Sequence, residues 1–140
     1  MSQSESLFTW KKGEKTQLNK YFNTSELSCR CNHPECVDQF ISKDLIERLT
    51  KVREELNKAL IITSAFRCHK YQEDLRSMGA NTVVAKKSQH ELGNAVDCIP
   101  KNGTVSELMP IAEKHFKAIG IAKTFLHLDM RDDKVRRWPY

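Results

Sequence analysis

The chain has 140 residues, of which 39% are hydrophobic and 29% are charged, and this composition excludes an integral membrane protein and a disordered chain. Its length is typical of one domain that buries its own hydrophobic core. The 23 Lys and Arg residues exceed the 18 Asp and Glu residues and give a formal net charge of +5. A basic surface suits an anionic partner. The basic residues are dispersed, however, as on an ordinary solvated surface.

The N-terminal stretch MSQSESLFTW lacks the basic and apolar regions of a signal peptide. No apolar run in the chain approaches the roughly 20 residues that a membrane-spanning helix needs. We therefore expect a protein that is made in the cytoplasm without a signal peptide and has no membrane span. Residues 1–20 are polar and are expected to form a flexible segment that precedes a single domain over residues 21–140.

The first half of this domain is predicted to contain two helices and a strand after a short helical turn. Thr24 or Ser25 can cap that turn. Apolar residues at helical spacing predict an amphipathic helix from its cap, Ser42, to about Leu60. The run ALIITSAF is apolar and partly β-branched, which is typical of a buried strand, and a short helix is predicted over residues 70–78.

The second half begins with a mixed, glycine-led segment over residues 79–90, which predicts a loop. NAVDCI then predicts a strand. Thr104 and Glu107 have the spacing of a capping box, which opens a helix to about Ala118 that Gly120 closes. The alternating order of helices and strands predicts a small α+β or α/β domain.

The last predicted strand, TFLHLDM, and the earlier stretch SQHELGNAVD together suggest a metal site. Alternation places His127 and Asp129 on one face of the strand, whereas His90 and Asp97 flank a segment suited to a tight bend. If His90 and Asp97 meet His127, they supply two neutral nitrogens and a carboxylate oxygen. This set suits zinc with an open position for water, and the matching chemistry is amide hydrolysis. The alternative is a hydrogen-bonded histidine pair with an aspartate at a strand end.

The five cysteines cannot all pair within the chain. Cys29, Cys31 and Cys36 lie close together with His33 between them, and Cys68 is the only candidate for a distant complement. A zinc site of three cysteines and one histidine is one interpretation. Structural zinc sites normally use two separated cysteine pairs such as C-x2-C, and the lack of a second pair here favours plain thiols in a reducing compartment instead.

Together the motifs resemble the zinc D-alanyl-D-alanine carboxypeptidases and L-alanyl-D-glutamate endopeptidases, a superfamily that shares its fold with the Hedgehog signalling domain. SQHELGNAVD fits the S-x-H-x-x-G-x-A-x-D motif, SAFRCHKYQ is similar to the S-G-Y-R segment, and TFLHLDMR with RRWPY resembles the F-x-H-x-D ending of short phage and bacterial members. YFNTSELSCRC is similar to their opening, so the resemblance extends from about residue 21. It implies a single α+β domain with a small, mainly antiparallel sheet packed with helices.

The resemblance also implies roles for individual residues. His90, Asp97 and His127 match the three Zn2+ ligands. Ser88 matches a serine that contacts the substrate, and Arg67 matches an arginine that stabilises the polarised carbonyl or binds a substrate carboxylate. An arginine suits this role because its planar fork of donors grips an oxyanion without losing its own proton.

The catalytic base departs from the family pattern. Several branches place an acid or a histidine two or three residues before the last ligand, where this chain has Thr124 and Phe125. Asp129 is our candidate for the base, and its alternative role is to orient a metal-bound imidazole. Glu91 is a further candidate that we expect to be solvated beside the site.

The activity that the resemblance implies is that of a zinc metallopeptidase, of the D,D-carboxypeptidase or endopeptidase type. Its substrates would be the stem or cross-link peptides of bacterial peptidoglycan, cleaved by metal-activated water. It would act as a monomer at the cell wall, or at the host envelope if phage-encoded. One alternative is a non-catalytic, zinc-containing module of the same fold that binds cell wall or belongs to a virion. Another is a basic nucleic-acid-binding protein, which the absence of base-reading motifs disfavours.

Overall fold

The structure is a computed structural model that describes residues 6–77 and 88–140. No described helix combines the length and apolarity needed to cross a membrane. The predicted loop over residues 79–90 and the predicted end of the preceding helix lie largely outside the described residues. The elements in chain order are β1 (Leu7–Lys11), α1 (Thr24–Leu27), β2 (Asp38–Ser42), α2 (Lys43–Leu56), β3 (Leu60–Ser64), α3 (His69–Ser77), β4 (Ala95–Pro100), α4 (Val105–Ala112), β5 (Ala118–Ile121), β6 (Leu126–Asp129) and β7 (Arg136–Pro139).

The described strands form a five-stranded sheet in the order β3-β4-β6-β5-β7 and a two-stranded sheet of β1 and β2. All pairings are antiparallel except that of β5 with β7, which is parallel. This mainly antiparallel sheet packed with helices confirms the predicted α+β class. Apolar side chains of α2 and α4 form one hydrophobic core with residues of β3, β4, β5 and β6.

Helix α2 follows the predicted pattern closely. Ser42 caps it, with the side-chain oxygen accepting a hydrogen bond from the backbone N–H of Leu45 at 3.2 Å. It ends at Leu56, a few residues before the predicted end, and its C-cap, Asn57, adopts a left-handed conformation with φ of 56°. The short helix α1 begins at Thr24, but its cap is the preceding Asn23 rather than Thr24 or Ser25.

Strand β1 lies within the segment predicted to be flexible. It pairs antiparallel with β2, and the Trp10 side chain is only 7% exposed. The Trp10 indole N–H donates a hydrogen bond to Ser28 Oγ at 2.7 Å. The polar composition of residues 1–20 concealed this strand, because its partner lies about thirty residues further along the chain and only the tertiary fold brings the two together.

Helix α4 is shorter than predicted. Thr104 caps it as expected, but it ends at Ala112, and both its predicted last residue, Ala118, and its predicted stop, Gly120, belong to β5. Gly120 is thus a strand residue between β6 and β7, not a helix terminator. A Cβ at Gly120 would lie 2.8 Å from Cδ1 of Tyr140 and 3.1 Å from Cβ of His127. The glycine is required by this close packing, which local sequence does not reveal.

Candidate metal centre

Three separate segments bring His90, Asp97 and His127 together. Asp97 and His127 lie directly opposite each other on the antiparallel strands β4 and β6. His90 lies in the turn that precedes β4, and this turn contains Gly93 with φ of 68°. A Cβ at Gly93 would approach Cδ2 of Phe40 to 2.8 Å, so the predicted tight bend needs glycine both for its conformation and for space.

The three side chains are buried and converge on one point. Asp97 Oδ1 is 2.9 Å from His127 Nδ1 and 3.2 Å from His90 Nε2. One ligand atom from each residue lies within 4.8 Å of the other two. The predicted ligand set is therefore assembled in the fold.

The outer nitrogens of both imidazoles have partners that fix their protons. His90 Nδ1 lies 2.7 Å from the Ala65 carbonyl oxygen, which only accepts, so Nδ1 carries the proton. His127 Nε2 lies 2.8 Å from Asp129 Oδ2 and donates to it in the same way. When both imidazoles are neutral, their inner nitrogens, His90 Nε2 and His127 Nδ1, direct lone pairs toward Asp97 Oδ1. Two neutral imidazole nitrogens and one carboxylate oxygen that converge in this way fit zinc.

Metal ligation needs neutral imidazoles and an ionised carboxylate, and the pKa shifts of His90 and Asp97 favour these states. Burial lowers the pKa of His90 and keeps this imidazole neutral. Burial raises the pKa of Asp97, but interactions with His90 and His127 together outweigh it and hold the pKa well below its usual range. Burial lowers the pKa of His127, but hydrogen bonds to Asp129 and Asp97 outweigh it and raise the pKa, so a metal ion bound here would displace a proton from Nδ1.

Asp129 contacts His127 from the side of the ring that faces away from Asp97. Its carboxylate is fully buried and also receives three hydrogen bonds from Arg131, from the backbone N–H at 3.0 Å, from Nε at 3.1 Å and from Nη2 at 2.9 Å. Burial raises its pKa, but the hydrogen bonds from His127 and Arg131 more than offset this and bring it to about 2. The carboxylate is therefore ionised and bound to the outer edge of the imidazole.

Arg67 and Ser88, the other predicted site residues, both lie beside the centre. Arg67 is buried and donates from Nη2 to Asp97 Oδ2 at 3.2 Å, while Nε donates to Ser64 Oγ at 3.0 Å. It thus holds the carboxylate oxygen that does not face the histidines. Ser88 Oγ accepts the backbone N–H of His90 at 3.0 Å, which secures the start of the turn.

A cavity of about 580 Å³ opens beside the centre, and His127 and Ser88 line part of its wall. Among the residues that the structure describes, no Asp or Glu lines it. Four basic side chains contribute to the wall, which makes the cavity cationic. They are Arg131, Lys134, Arg136 and Arg137.

Two aromatic residues of the C-terminal segment complete this wall, and sequence reasoning assigned them no role. The Tyr140 ring stacks on His127 with centroids 4.5 Å apart, and its hydroxyl lies 3.4 Å from His90 Nε2. Trp138 makes an edge contact with His127 at 5.6 Å. The RRWPY ending, which resembles that of the family, was the sequence feature that could have pointed to these two residues.

The remaining predicted candidate for the base, Glu91, is held elsewhere. Its Oε1 lies 2.8 Å from His69 Nδ1, and it does not line the cavity.

Four cysteines form a second group that could hold a metal ion. Sulfur atoms of Cys29, Cys31, Cys36 and Cys68 all lie within 4.8 Å of one another, and all are free thiols. His33, the predicted fourth member, instead pairs with an aspartate on α3 at 2.7 Å. Cys68 takes its place.

Comparison with protein-family models gives one match. Comparisons with curated proteins and with solved structures give none. The family model described as Peptidase M15 matches residues 20–129, which is more than three-quarters of the chain. The matched range runs from just before α1 to the end of β6 and includes His90, Asp97 and His127. The chain therefore belongs to the Peptidase M15 family of zinc metallopeptidases.

Proposed function

We propose that the chain is a zinc-dependent peptidase that cleaves peptide bonds in the stem or cross-link peptides of bacterial peptidoglycan. The observation that carries this proposal is the convergence of one possible ligand atom each from His90, Asp97 and His127 beside an open cavity. Zinc bound there would supply a Lewis acid that polarises a peptide carbonyl and lowers the pKa of water.

The cationic wall of the cavity supports an acidic peptide as substrate. Peptidoglycan stem peptides carry free carboxylates, and arginine side chains bind carboxylates through two parallel hydrogen bonds. Arg136 and Arg137 already pair with Asp133 and Glu113, but these acids are about half exposed or more. Exposed pairs of this kind contribute little free energy, so a substrate carboxylate can replace them.

The contacts within the centre suggest a division of roles. We assign Asp129 the orienting role, because it binds the outer edge of the His127 ring and lies away from the converging ligand atoms. Arg67 would hold the Asp97 carboxylate and add positive charge beside the polarised carbonyl. Burial raises the pKa of Tyr140 to about 12, so its hydroxyl is a neutral donor that can stabilise an oxyanion. The hydroxyl hydrogen of Ser88 can bind the substrate backbone.

One observation favours a second candidate function, a non-catalytic zinc-containing module that binds cell wall. No carboxylate among the described residues lines the cavity, and Thr124 and Phe125 occupy the positions where other branches of the family carry an acid. Such a module would keep its zinc and bind peptidoglycan without cleaving it. In either case we propose that the protein acts at the bacterial cell wall as a monomer.

Digestion of purified peptidoglycan, followed by mass spectrometry of the products, tests the proposal. The wild-type chain is expected to release peptides whose masses identify the bond cleaved, and His127→Ala should abolish release together with zinc binding at this centre. His115→Ala is a matched control, because this histidine pairs with Glu55 away from the centre. Zinc at the centre without any cleavage would favour the binding module. A centre without zinc would refute both candidates.

A further inference from the structure

The four grouped cysteines have the spacing of a closed metal site. The sulfur atoms of Cys31 and Cys68 are 3.7 Å apart, and all four lie within 4.8 Å of one another. A tetrahedral zinc ion with Zn–S bonds of about 2.3 Å separates its sulfur ligands by about 3.8 Å. The observed spacing is therefore close to that of a tetrahedral site and far longer than a disulfide bond of about 2.0 Å.

Each of the four sulfur atoms also receives an N–H donor, at 3.2–3.4 Å. The donors are the Lys12 ammonium to Cys31, the Gln39 amide to Cys36, the backbone N–H of Cys68 to Cys29 and the backbone N–H of Tyr71 to Cys68. Four thiolates outweigh the charge of one Zn2+ ion, so donors and a nearby cation are needed to stabilise the complex. Ordinary packed thiols are weak acceptors and need no such set of donors.

The surroundings of the group are those of a structural site rather than a catalytic one. Three of the four cysteines are buried, and the group packs against Phe66, Phe40 and Tyr71. With four protein ligands no position is left for water or substrate.

The location of the group gives such an ion a specific task. Residues 28–37, which supply three of the cysteines, contain neither helix nor strand. Cys68 lies in the connection between β3 and α3, directly after Arg67 and close to Ala65, whose carbonyl oxygen fixes the tautomer of His90. A metal ion would tie residues 28–37 to the backbone that carries Arg67 and the Ala65 carbonyl.

We propose that Cys29, Cys31, Cys36 and Cys68 bind a second zinc ion, which fastens residues 28–37 to the β3–α3 connection and thereby positions Arg67 and the Ala65 carbonyl. The thiols lose their protons to solvent on binding, with no change in oxidation state.

Metal analysis of the full chain, purified under reducing conditions, tests this site. We expect two zinc ions per chain in the wild type and one in the His90→Ala/His127→Ala double variant. Replacing that remaining zinc by Co2+ should produce intense thiolate-to-cobalt charge-transfer absorption. A double variant that binds no zinc, or whose cobalt form lacks this absorption, would overturn the proposal. Because this measurement needs no peptidase activity, its outcome is independent of whether the chain cleaves peptidoglycan.

Two cysteine variants sharpen the test. Cys31→Ser should lose one zinc and the charge-transfer absorption, whereas Cys98→Ser, a buried cysteine outside the group, should retain both ions. Full zinc content in Cys31→Ser would contradict a four-cysteine site. If this variant does not fold, the double histidine variant still decides the question.

Discussion

Replacing Asp129 by Asn separates the two roles open to this carboxylate, general base and orienting partner of His127. The carboxylate accepts four N–H donors, one from His127 and three from Arg131. Asparagine retains only one oxygen. If that oxygen keeps Arg131, the amide N–H group faces His127 Nε2 and forces the imidazole proton onto Nδ1, where it occupies the lone pair directed at Asp97. If the oxygen turns to His127, the amide N–H group faces the donors of Arg131.

Either orientation of the asparagine amide should weaken zinc binding at the centre. Removing the partner of a metal-bound histidine costs roughly ten- to a hundredfold in metal affinity, or about 1.4–2.8 kcal/mol. We therefore expect Asp129→Asn to bind zinc that much more weakly, with activity restored by excess zinc. Competition with a chelator measures the affinity, and peptidoglycan digestion across a zinc series measures the rescue.

The control for this experiment is Asp132→Asn, which alters a surface pair with Arg48 and should change neither quantity. Unchanged zinc affinity with a sharp loss of turnover at saturating zinc would refute the orienting role and identify Asp129 as the base. Full activity at every zinc concentration would exclude both roles.

Two further substitutions test contacts around the same centre. Arg67→Ala should lower turnover about a hundredfold or more, because it removes the positive charge beside the reacting carbonyl. It should also weaken zinc binding, because Asp97 loses its guanidinium partner. Near-normal turnover in steady-state kinetics would contradict this expectation. Gly120→Ala adds a methyl group 2.8 Å from the Tyr140 ring, and overpacking of this kind costs about 1–3 kcal/mol. We expect a melting temperature lower by several degrees, and reduced activity as the Tyr140 ring moves off His127. Unchanged thermal unfolding would show that position 120 accommodates a side chain.

Local patterns were sufficient for the features that depend on neighbours in sequence. The helical spacing of its apolar residues predicted α2 together with its cap, Ser42. The alternation in TFLHLDM placed His127 and Asp129 on one face, and the structure has them in direct contact. The bend before β4 was predicted from residues that include Gly93, whose backbone adopts a positive φ. In each case backbone geometry over a few residues decides the outcome.

Only the tertiary structure decided the features that depend on distant partners. β1 becomes a strand because β2 pairs with it. Position 120 lies in a strand because β6 and β7 pair with it, and it needs glycine because Tyr140 leaves no room for a side chain. Cys68 joins three cysteines more than thirty residues earlier in the chain, which turns an incomplete motif into a set of four. Which nitrogen of His127 faces Asp97 likewise follows from where Asp129 binds the ring. Composition and periodicity carry no information on such contacts, because residues far apart in sequence become neighbours only when the whole chain packs around one core.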